Sequence, residues 1–292
     1  MIIVVSHQKG GVGKSTIAWN LATNLQKKHK VELVDLDIQR TLTYANEIRK
    51  QHQKLTPLTI RHFDTPEDLK KYIQGDNEER LSIIDVGGFD SSMNRLALVM
   101  ADMIITPVSD KSFELLGIKT FENIINQLDE LVDHDIKVKV LLNNLNPQKS
   151  KLDGLKNFIT KSPYFELLET VLRNRADYDK SAGEGKNVIE YKSDSKAAKE
   201  IEKLTKEIKN ILFYKKGDRD MAKEKNFDNL DLVMDSANLT EKKKTSTNKK
   251  KKVKTIQILV DWEEKIKEYH GGTISSYITI AIQEKMKRDG IL

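Results

Sequence analysis

The sequence contains no cysteine, so disulfide bonds and thiolate metal sites are excluded. It also lacks any apolar run long enough to cross a membrane, and its strand-like start carries no basic leader. From these absences we expect a cytoplasmic protein without a membrane partner. Aromatic residues make up only 6% of the chain and charged residues 32%, which is typical of a soluble protein that is not core-rich throughout.

The charge balance says little about partners by itself. Fifty Lys and Arg residues against 44 Asp and Glu residues leave a net charge of +6. Such an excess favours polyanions only weakly unless it is localised. The length of 292 residues is enough for one α/β domain of ordinary size and a smaller module.

A glycine-rich segment near the start carries the strongest signal. Residues 9–16 read KGGVGKST, after the apolar run 2–5 and before an apolar segment with helical spacing. Strand, glycine loop and helix together favour a phosphate-binding loop over a plain glycine turn. Glycines let backbone N–H groups face a phosphate chain, and the helix N-terminus adds positive charge. The predicted phosphate-binding residues are Gly10, Gly11, Val12, Gly13, Lys14, Ser15 and Thr16.

This loop is a variant, because only two residues separate Gly10 from Gly13 and Lys9 precedes them. It resembles the deviant Walker A motif of the ParA/MinD family of dimerising ATPases, and the resemblance covers residues 1–214. The resemblance implies an α/β fold with a mostly parallel twisted sheet flanked by helices. It also implies ATP and ADP as ligands, Mg²⁺ as the metal, and a homodimer. The nitrogenase iron protein shares the loop but needs cysteines for its cluster, so it is not favoured.

The family's roles map onto individual residues of the loop. By resemblance, Lys14 contacts the β- and γ-phosphates and the Ser15 hydroxyl binds Mg²⁺. Lys9 is the lysine that crosses the dimer interface to the partner's nucleotide.

A second motif, DLDIQR at residues 35–40, follows a predicted buried strand. Two carboxylates at i and i+2 project on the same side, which suits one for the Mg²⁺ shell and one for water. In the family's D-x-D-P-Q pattern the second acid, here Asp37, lies near the attacking water, with Mg²⁺ contact a further role. Ile38 replaces the usual proline and Arg40 a common glycine, so we expect a more mobile loop. The alternative is a strand-end turn with a solvated acid.

Residues 81–88 read LSIIDVGG and resemble a Walker B strand with its following switch. The resemblance implies that Asp85 holds a water on Mg²⁺ and that Gly87 or Gly88 offers N–H groups to the γ-phosphate. Many relatives have T-P-P after this acid, so V-G-G marks a sub-branch. A strand-ending Asp on its own would usually form a turn.

Later segments add weaker signals. Residues 101–108, ADMIITPV, resemble a further family hallmark, and residues 137–144 form the next predicted strand. An asparagine at this strand end contacts adenine in relatives, which makes Asn143 the candidate and Asn144 the neighbour; a plain strand-end asparagine is the alternative. MinD-like proteins end in a basic amphipathic membrane helix. Acids interrupt the polar face of the last predicted helix, about residues 195–213, and disfavour that role: Glu200, Glu202 and Glu207.

The composition changes after Tyr214. Residues 242–254 contain runs of lysine and no acid, typical of a solvated linker that still contacts phosphates. Residues 254–292 read as strand, helix, glycine turn and helix. They resemble the ribbon-helix-helix DNA-binding family, whose paired strands enter the major groove. That resemblance implies base contacts from Thr255 and Gln257 and a phosphate contact at the second helix, near Thr273. A small helical oligomerisation module is the alternative.

The predicted domains are an ATPase at 1–214, a flexible lysine-rich linker or tail at 215–253, and a ribbon-helix-helix module at 254–292. Residues 221–292 resemble a whole centromere-binding partner of a partition ATPase, joined by natural gene fusion or by engineering. Within the tail, residues 230–234 form an apolar run that suits a short docking segment.

These resemblances together predict a nucleoid-associated DNA-segregation ATPase. The ATP-bound dimer is expected to bind DNA non-specifically through Lys196 or Arg175, and the C-terminal module to bind a centromere specifically. A separate centromere-binding protein is a further expected partner. Two alternatives stay open: an ATP-regulated ribbon-helix-helix transcriptional regulator, and a MinD-like positioning ATPase.

Overall fold

The computed structural model describes residues 1–75, 80–214 and 229–245, together with Lys285 and Arg288. The chain divides into two compact units, Met1–Lys244 and Thr245–Leu292. The predicted ribbon-helix-helix module, with Thr255, Gln257 and Thr273, lies outside the described residues apart from two isolated positions. The following description therefore concerns the first unit.

The first unit is built on a seven-stranded parallel sheet in the order β3-β2-β4-β1-β5-β6-β7. Strands β1, β4 and β5 are nearly continuous apolar runs because helices cover both faces of a parallel sheet. This sheet confirms the predicted fold class. The strands are β1 Ile2–Val5, β2 Lys30–Asp35, β3 Thr59–Arg61, β4 Arg80–Asp85, β5 Met103–Val108, β6 Val138–Leu145 and β7 Phe165–Arg173.

Helices alternate with these strands, as expected when parallel strands are joined by crossovers. No helix in the described ranges combines the length and apolar character that spanning a membrane requires. A short π-helical turn, Asn210–Tyr214, extends the ninth helix. The helices are α1 Lys14–Leu25, α2 Thr41–Lys50, α3 Pro66–Gln74, α4 Ser92–Met100, α5 Ser112–Asp129, α6 Asp153–Ile159, α7 Ala176–Gly183, α8 Val188–Tyr191, α9 Lys196–Lys209 and α10 Leu230–Thr245.

Each face of the sheet carries its own apolar core. Side chains alternate along a strand, so β1 sends Val4 to one core and Ile3 and Val5 to the other. The first core packs against α4, α5 and α10, and the second against α1 and α9. The central strands are therefore held from both sides, and their carboxyl ends form a rigid platform.

Register places three strand ends side by side. Val5 of β1 pairs with Asp85 of β4, and Asp85 pairs with Asp35 of β2. The loops that follow these strands therefore leave the sheet at one edge, where open parallel sheets bind their ligands. Two of these loops hold the predicted acids and the third is the predicted phosphate loop, residues 9–16.

Local capping signals explain where several helices begin. The Thr65 hydroxyl accepts a hydrogen bond from the Asp68 N–H at 3.2 Å, with Pro66 at the first position of α3. Ser195 caps α9 by accepting from the Ala198 N–H at 3.1 Å. These caps satisfy N–H groups that the helix itself leaves unpaired.

Helix α10 lies inside the range predicted as a flexible linker. Its apolar stripe is buried against the first core, so the compact unit extends beyond the predicted boundary at Tyr214. Burial of the stripe agrees with the predicted docking segment and explains why this part of the tail is helical rather than solvated. The stripe consists of Leu230, Val233, Met234 and Ala237.

Arg40, before α2, has a left-handed backbone conformation with φ 53° and ψ 32°. A non-glycine residue there costs about 1 kcal/mol, partly offset by the entropy that glycine loses on folding. We therefore expect Arg40→Gly to raise the free energy of unfolding by about 0.5 kcal/mol in a chemical denaturation series. Arg40→Ala keeps the Cβ and should give no gain, so equal stabilisation by both variants would contradict the strain argument.

Candidate functional site

The phosphate loop has the backbone shape that a phosphate cradle needs. Gly11 and Gly13 have positive φ angles of 75° and 96°, and α1 begins directly after them at Lys14. A Cβ placed on Gly10 or Gly11 would meet nothing within 4 Å, so this side of the loop is open. The loop therefore presents its N–H groups to open space at a helix N-terminus.

Two buried polar side chains hold the loop in place. The Asn143 amide donates to the Val12 carbonyl at 2.7 Å and lies directly against Gly13, where a Cβ would come within 2.5 Å of its nitrogen. His7 Nδ1 accepts a hydrogen bond from the Lys9 N–H at 2.9 Å. Asn143 thus supports the loop backbone, a contact that differs from the adenine contact predicted for it.

His7 was not predicted as a site residue. Burial, reinforced by the nearby charges of Lys14 and Lys9, lowers the pKa of His7 to about 4. The imidazole is therefore neutral at physiological pH, as acceptance by Nδ1 requires. Its only sequence signal is its position just before the loop, which does not distinguish a support from an ordinary core residue.

Lys14 lies among the acidic strand ends. Its side chain is almost fully buried, and Nζ donates to the Lys9 carbonyl at 3.2 Å across the loop. Burial lowers the pKa of Lys14, and the carboxylates of Asp85 and Asp37 oppose that shift. The structure therefore places three predicted site residues in one electrostatic group.

Asp85 is fully buried, and neither of its carboxylate oxygens has a well-formed hydrogen bond in the described structure. Burial is the main cause that raises the pKa of Asp85 to about 7. The negative charges of Asp35 and Asp37 also raise this pKa, whereas the Ser15 hydroxyl and the Lys14 ammonium lower it. Buried polar atoms are rarely left unpaired, so the orphaned Asp85 carboxylate at this strand end suits a cation or its bound water.

These donors fit Mg²⁺ held with a nucleotide. Within the described ranges, no cluster of three or more His, Asp or Glu side chains suffices to hold a metal alone. Mg²⁺ is usually bound by one or two carboxylates, waters and substrate phosphates rather than by an all-protein cage. Ser15 and Asp85 beside an open phosphate cradle match that donor set.

Asp37 is half-buried at the start of its loop. Its Oδ1 accepts from the Gln39 N–H at 2.9 Å, and its own N–H donates to Asp35 Oδ1 at 3.2 Å. These short-range bonds hold the turn that contains Ile38. Ile38, at the tip, is 79% exposed.

The segment after Asp85, residues 86–90, is called the switch loop below. It lies against the phosphate loop: a Cβ on Gly88 would come within 3.0 Å of Gly10 N and 3.2 Å of the Lys9 carbonyl carbon. Gly88 thus lies where the switch loop touches the phosphate loop; the γ-phosphate contact of Gly87 or Gly88 stays a prediction.

We expect Gly88→Ala to lower kcat about ten-fold, because its methyl group pushes the switch loop away from the phosphate loop backbone. Gly87→Ala is the comparison variant, since the atoms nearest to its methyl group belong to the side chain of Phe89, which is 44% exposed, and not to backbone. A steady-state phosphate-release assay measures both. Equal losses in the two variants would contradict this account.

A cavity of about 410 Å³ adjoins the phosphate loop. It lies between the loop, the end of β6 and the segment after β7, where a nucleotide's sugar and base would extend from the phosphates. Arg175 lines it and is held by Glu200 at 2.6 Å, so its guanidinium is less available to DNA than the exposed Lys196. The other lining residues include Asn143, Asn144, Leu172, Asn174 and Tyr178.

Comparison with known families agrees with this geometry. Residues 3–188 match the family described as the CobQ/CobB/MinD/ParA nucleotide binding domain. The chain belongs to the ParA/MinD family. Members of this family are nucleotide-binding ATPases, and the matched range contains the phosphate loop, the switch loop and Asn143.

Individual relatives of this ParA/MinD-family chain share the same region. Protein ParA of Rhizobium radiobacter is 28% identical over 199 residues, covering 66% of this chain and 86% of that protein. The MinD protein of Pyrococcus horikoshii OT3, solved with Mg-ADP, has a TM-score of 0.54 at 15% identity over 73% of this chain and 98% of that chain. A plasmid partition protein of Borrelia burgdorferi B31, solved with AMPPNP, has a TM-score of 0.50 at 18% identity over 71% and 97%. At such identities the two structures establish the fold.

Proposed function

We propose that this ParA/MinD-family chain is a DNA-segregation ATPase that dimerises on ATP and binds DNA while dimeric. The observation that supports it most directly is the grouping of Lys14, Asp37 and the orphaned Asp85 beside an open phosphate cradle. The ParA relative and the nucleotide-bound structures of similar fold support the same reading.

Each residue of the site has a role in this proposal. A bound Mg-nucleotide supplies the anhydride bond that is cleaved and a cation that neutralises phosphate charge. With that group bound, Lys14 would donate to the phosphates, Ser15 and Asp85 would hold the metal and its water, and Asp37 would orient the attacking water. Buried Lys14 needs no rearrangement of solvent as charge develops, so its electrostatic effect is strong.

Exposed apolar side chains support a second copy of the chain on this face. Ile38 follows Asp37, and Phe89 follows Gly88, so both belong to the loops that border the phosphate loop; Tyr44 lies in α2 beyond Arg40. Large exposed apolar side chains grouped around one edge indicate an interaction surface. A sandwich of two such faces would bring Lys9 of one copy to the nucleotide of the other.

Lys196 is the proposed contact for non-specific DNA. It is exposed at the first position of α9, where the helix N-terminus adds positive charge. In a filter-retention assay with a non-hydrolysable ATP analogue, we expect Lys196→Glu to weaken binding to random-sequence DNA about ten-fold. Binding by the parent protein should fall steeply as the salt concentration rises. Lys71→Glu, an equally exposed change in α3, is the control. Equal weakening by both variants would contradict a specific role for Lys196.

Partition is favoured over positioning on a membrane by the packing of α9. Its apolar side chains Ile201, Leu204 and Ile208 are buried in the second core. Its acids Glu200 and Glu207 accept hydrogen bonds from the backbone of β7 at 2.6–3.0 Å. This helix therefore has no apolar face left for lipid. Centromere binding by residues 254–292 completes the proposal.

A further inference from the structure

Helix α10 is docked on the ATPase unit by polar as well as apolar contacts. The Ser92 hydroxyl of α4 donates to the Met234 carbonyl at 2.8 Å, and the Asn229 amide donates to the Leu131 carbonyl beyond α5 at 3.0 Å. Lys70 of α3 pairs with Asp231 at 3.1 Å, although this exposed pair contributes little. Helices α3 and α4 and the segment after α5 thus each make a polar contact with α10 or with Asn229 just before it.

Arg95 of α4 joins the docked helix to the site. Its side chain is completely buried, and Nη1 donates to the Ser236 hydroxyl of α10 at 2.7 Å. Nη2 donates to Gln127 of α5 at 2.9 Å. Nε and Nη2 form a two-pronged pair with the Asp90 carboxylate at 2.8 and 2.6 Å. One guanidinium therefore contacts α10 and the last residue of the switch loop.

Residues at the start of α4 hold the rest of the switch loop. The Asn94 amide donates to the Phe89 carbonyl at 2.5 Å, and the Ser91 hydroxyl caps α4. Gly88 of this loop also lies against Gly10 of the phosphate loop. A shift of Asp90 would thus move the loop at the point where it meets the phosphate cradle.

We infer that the α3–α4–α5 face is a docking surface for α10 of the same chain. Docking of α10 acts on the switch loop through Arg95. The inference rests on the proposed function. Removing α10 would take away the Ser236 hydroxyl to which Nη1 donates, so the buried guanidinium would be held by fewer bonds and would shift. Asp90 then loses its fixed position, so docked α10 supports the switch loop in its place against the phosphate loop. Arg95 acts as a positioning residue.

The chain offers matched variants for a test. Val233 of α10 is fully buried, whereas its neighbour Leu232 in the same helix is 57% exposed. Val233→Asp and Leu232→Asp introduce the same charge into the same helix of the full-length protein. Hydrogen exchange of residues 229–245 reports docking, fluorescent ADP binding reports the nucleotide site, and phosphate release reports kcat.

We expect Val233→Asp to lose protection of α10 and to lower kcat roughly two- to thirty-fold while ADP affinity is kept. Leu232→Asp should match the parent in all three measurements. Arg95→Lys keeps the apolar contacts but loses the fork geometry, so α10 should stay protected while kcat falls similarly. Because coupling is reciprocal, binding of a non-hydrolysable ATP analogue should raise the protection of α10 in the parent.

An unprotected α10 with parental or raised kcat in Val233→Asp would overturn the inference. So would a parental kcat in Arg95→Lys. If the parent protein binds no ADP, the proposed function itself fails and the inference falls with it. If the parent binds ADP normally but loss of α10 docking leaves kcat unchanged, only this inference is refuted and the proposed function stands.

Discussion

Lys14→Ala is expected to weaken nucleotide binding more than a hundred-fold, whereas Lys9→Ala keeps binding and loses ATP-dependent dimerisation. Lys14 is buried beside Asp85 and Asp37, so its ammonium supplies charge-assisted bonds worth about 3 kcal/mol to the phosphates. Lys9 lies at the opening of the loop, and its role is toward the partner's nucleotide. Isothermal titration with ADP and light scattering with an ATP analogue separate the two effects.

Stability must be measured beside binding, because removal of Lys14 takes the ammonium away from the buried Asp85. The midpoint of thermal unfolding without nucleotide provides that control. A Lys14→Ala protein that is folded and binds ADP within about three-fold of the parent would contradict the phosphate role. A Lys9→Ala protein that dimerises normally on ATP would remove the deviant-motif reading.

Asp37→Asn should reduce kcat about a hundred-fold or more and leave a long-lived ATP-bound dimer on DNA. Asparagine keeps an acceptor for the Gln39 N–H, so the turn is preserved while the charge near Lys14 is removed. The loss is therefore chemical rather than structural. Single-turnover phosphate release and dissociation from DNA measure the two consequences.

Asp153→Asn, at the exposed first turn of α6, is the matched control for loss of one negative charge. It should leave the rate unchanged. Parental turnover in Asp37→Asn would exclude Asp37 from the reaction. The same variant separates the alternatives for the whole chain, since partition needs turnover and a transcriptional regulator that only requires dimerisation does not.

Much of this architecture could be predicted from local patterns. Apolar runs that end in acids marked the carboxyl ends of strands β2 and β4. The phosphate loop was recognisable because its glycines act through the backbone and its lysines through their ammonium groups, all within one short segment. Asp37 and Asp85 were predicted as strand-end acids, and β-sheet register brought them to the same edge.

Contacts between distant segments could not be predicted in this way. Nothing local says that the Asn143 amide reaches Val12, 131 residues earlier in the chain, or that His7 accepts from the loop. Helix α10 did carry a signal, since Leu230, Val233, Met234 and Ala237 follow the helical spacing i, i+3, i+4, i+7. The surrounding charges and the lysine runs after it pointed instead to a linker.

Strand β7 is an edge strand of the sheet, and carboxylates of α9 accept hydrogen bonds from its backbone. Glu207 accepts from the N–H groups of Glu169 and Thr170, and Glu200 accepts from that of Arg173. An incoming strand would have to displace two buttressing carboxylates before it could pair there. Strand addition along this side would first have to break these hydrogen bonds, so the edge resists irreversible association through its backbone.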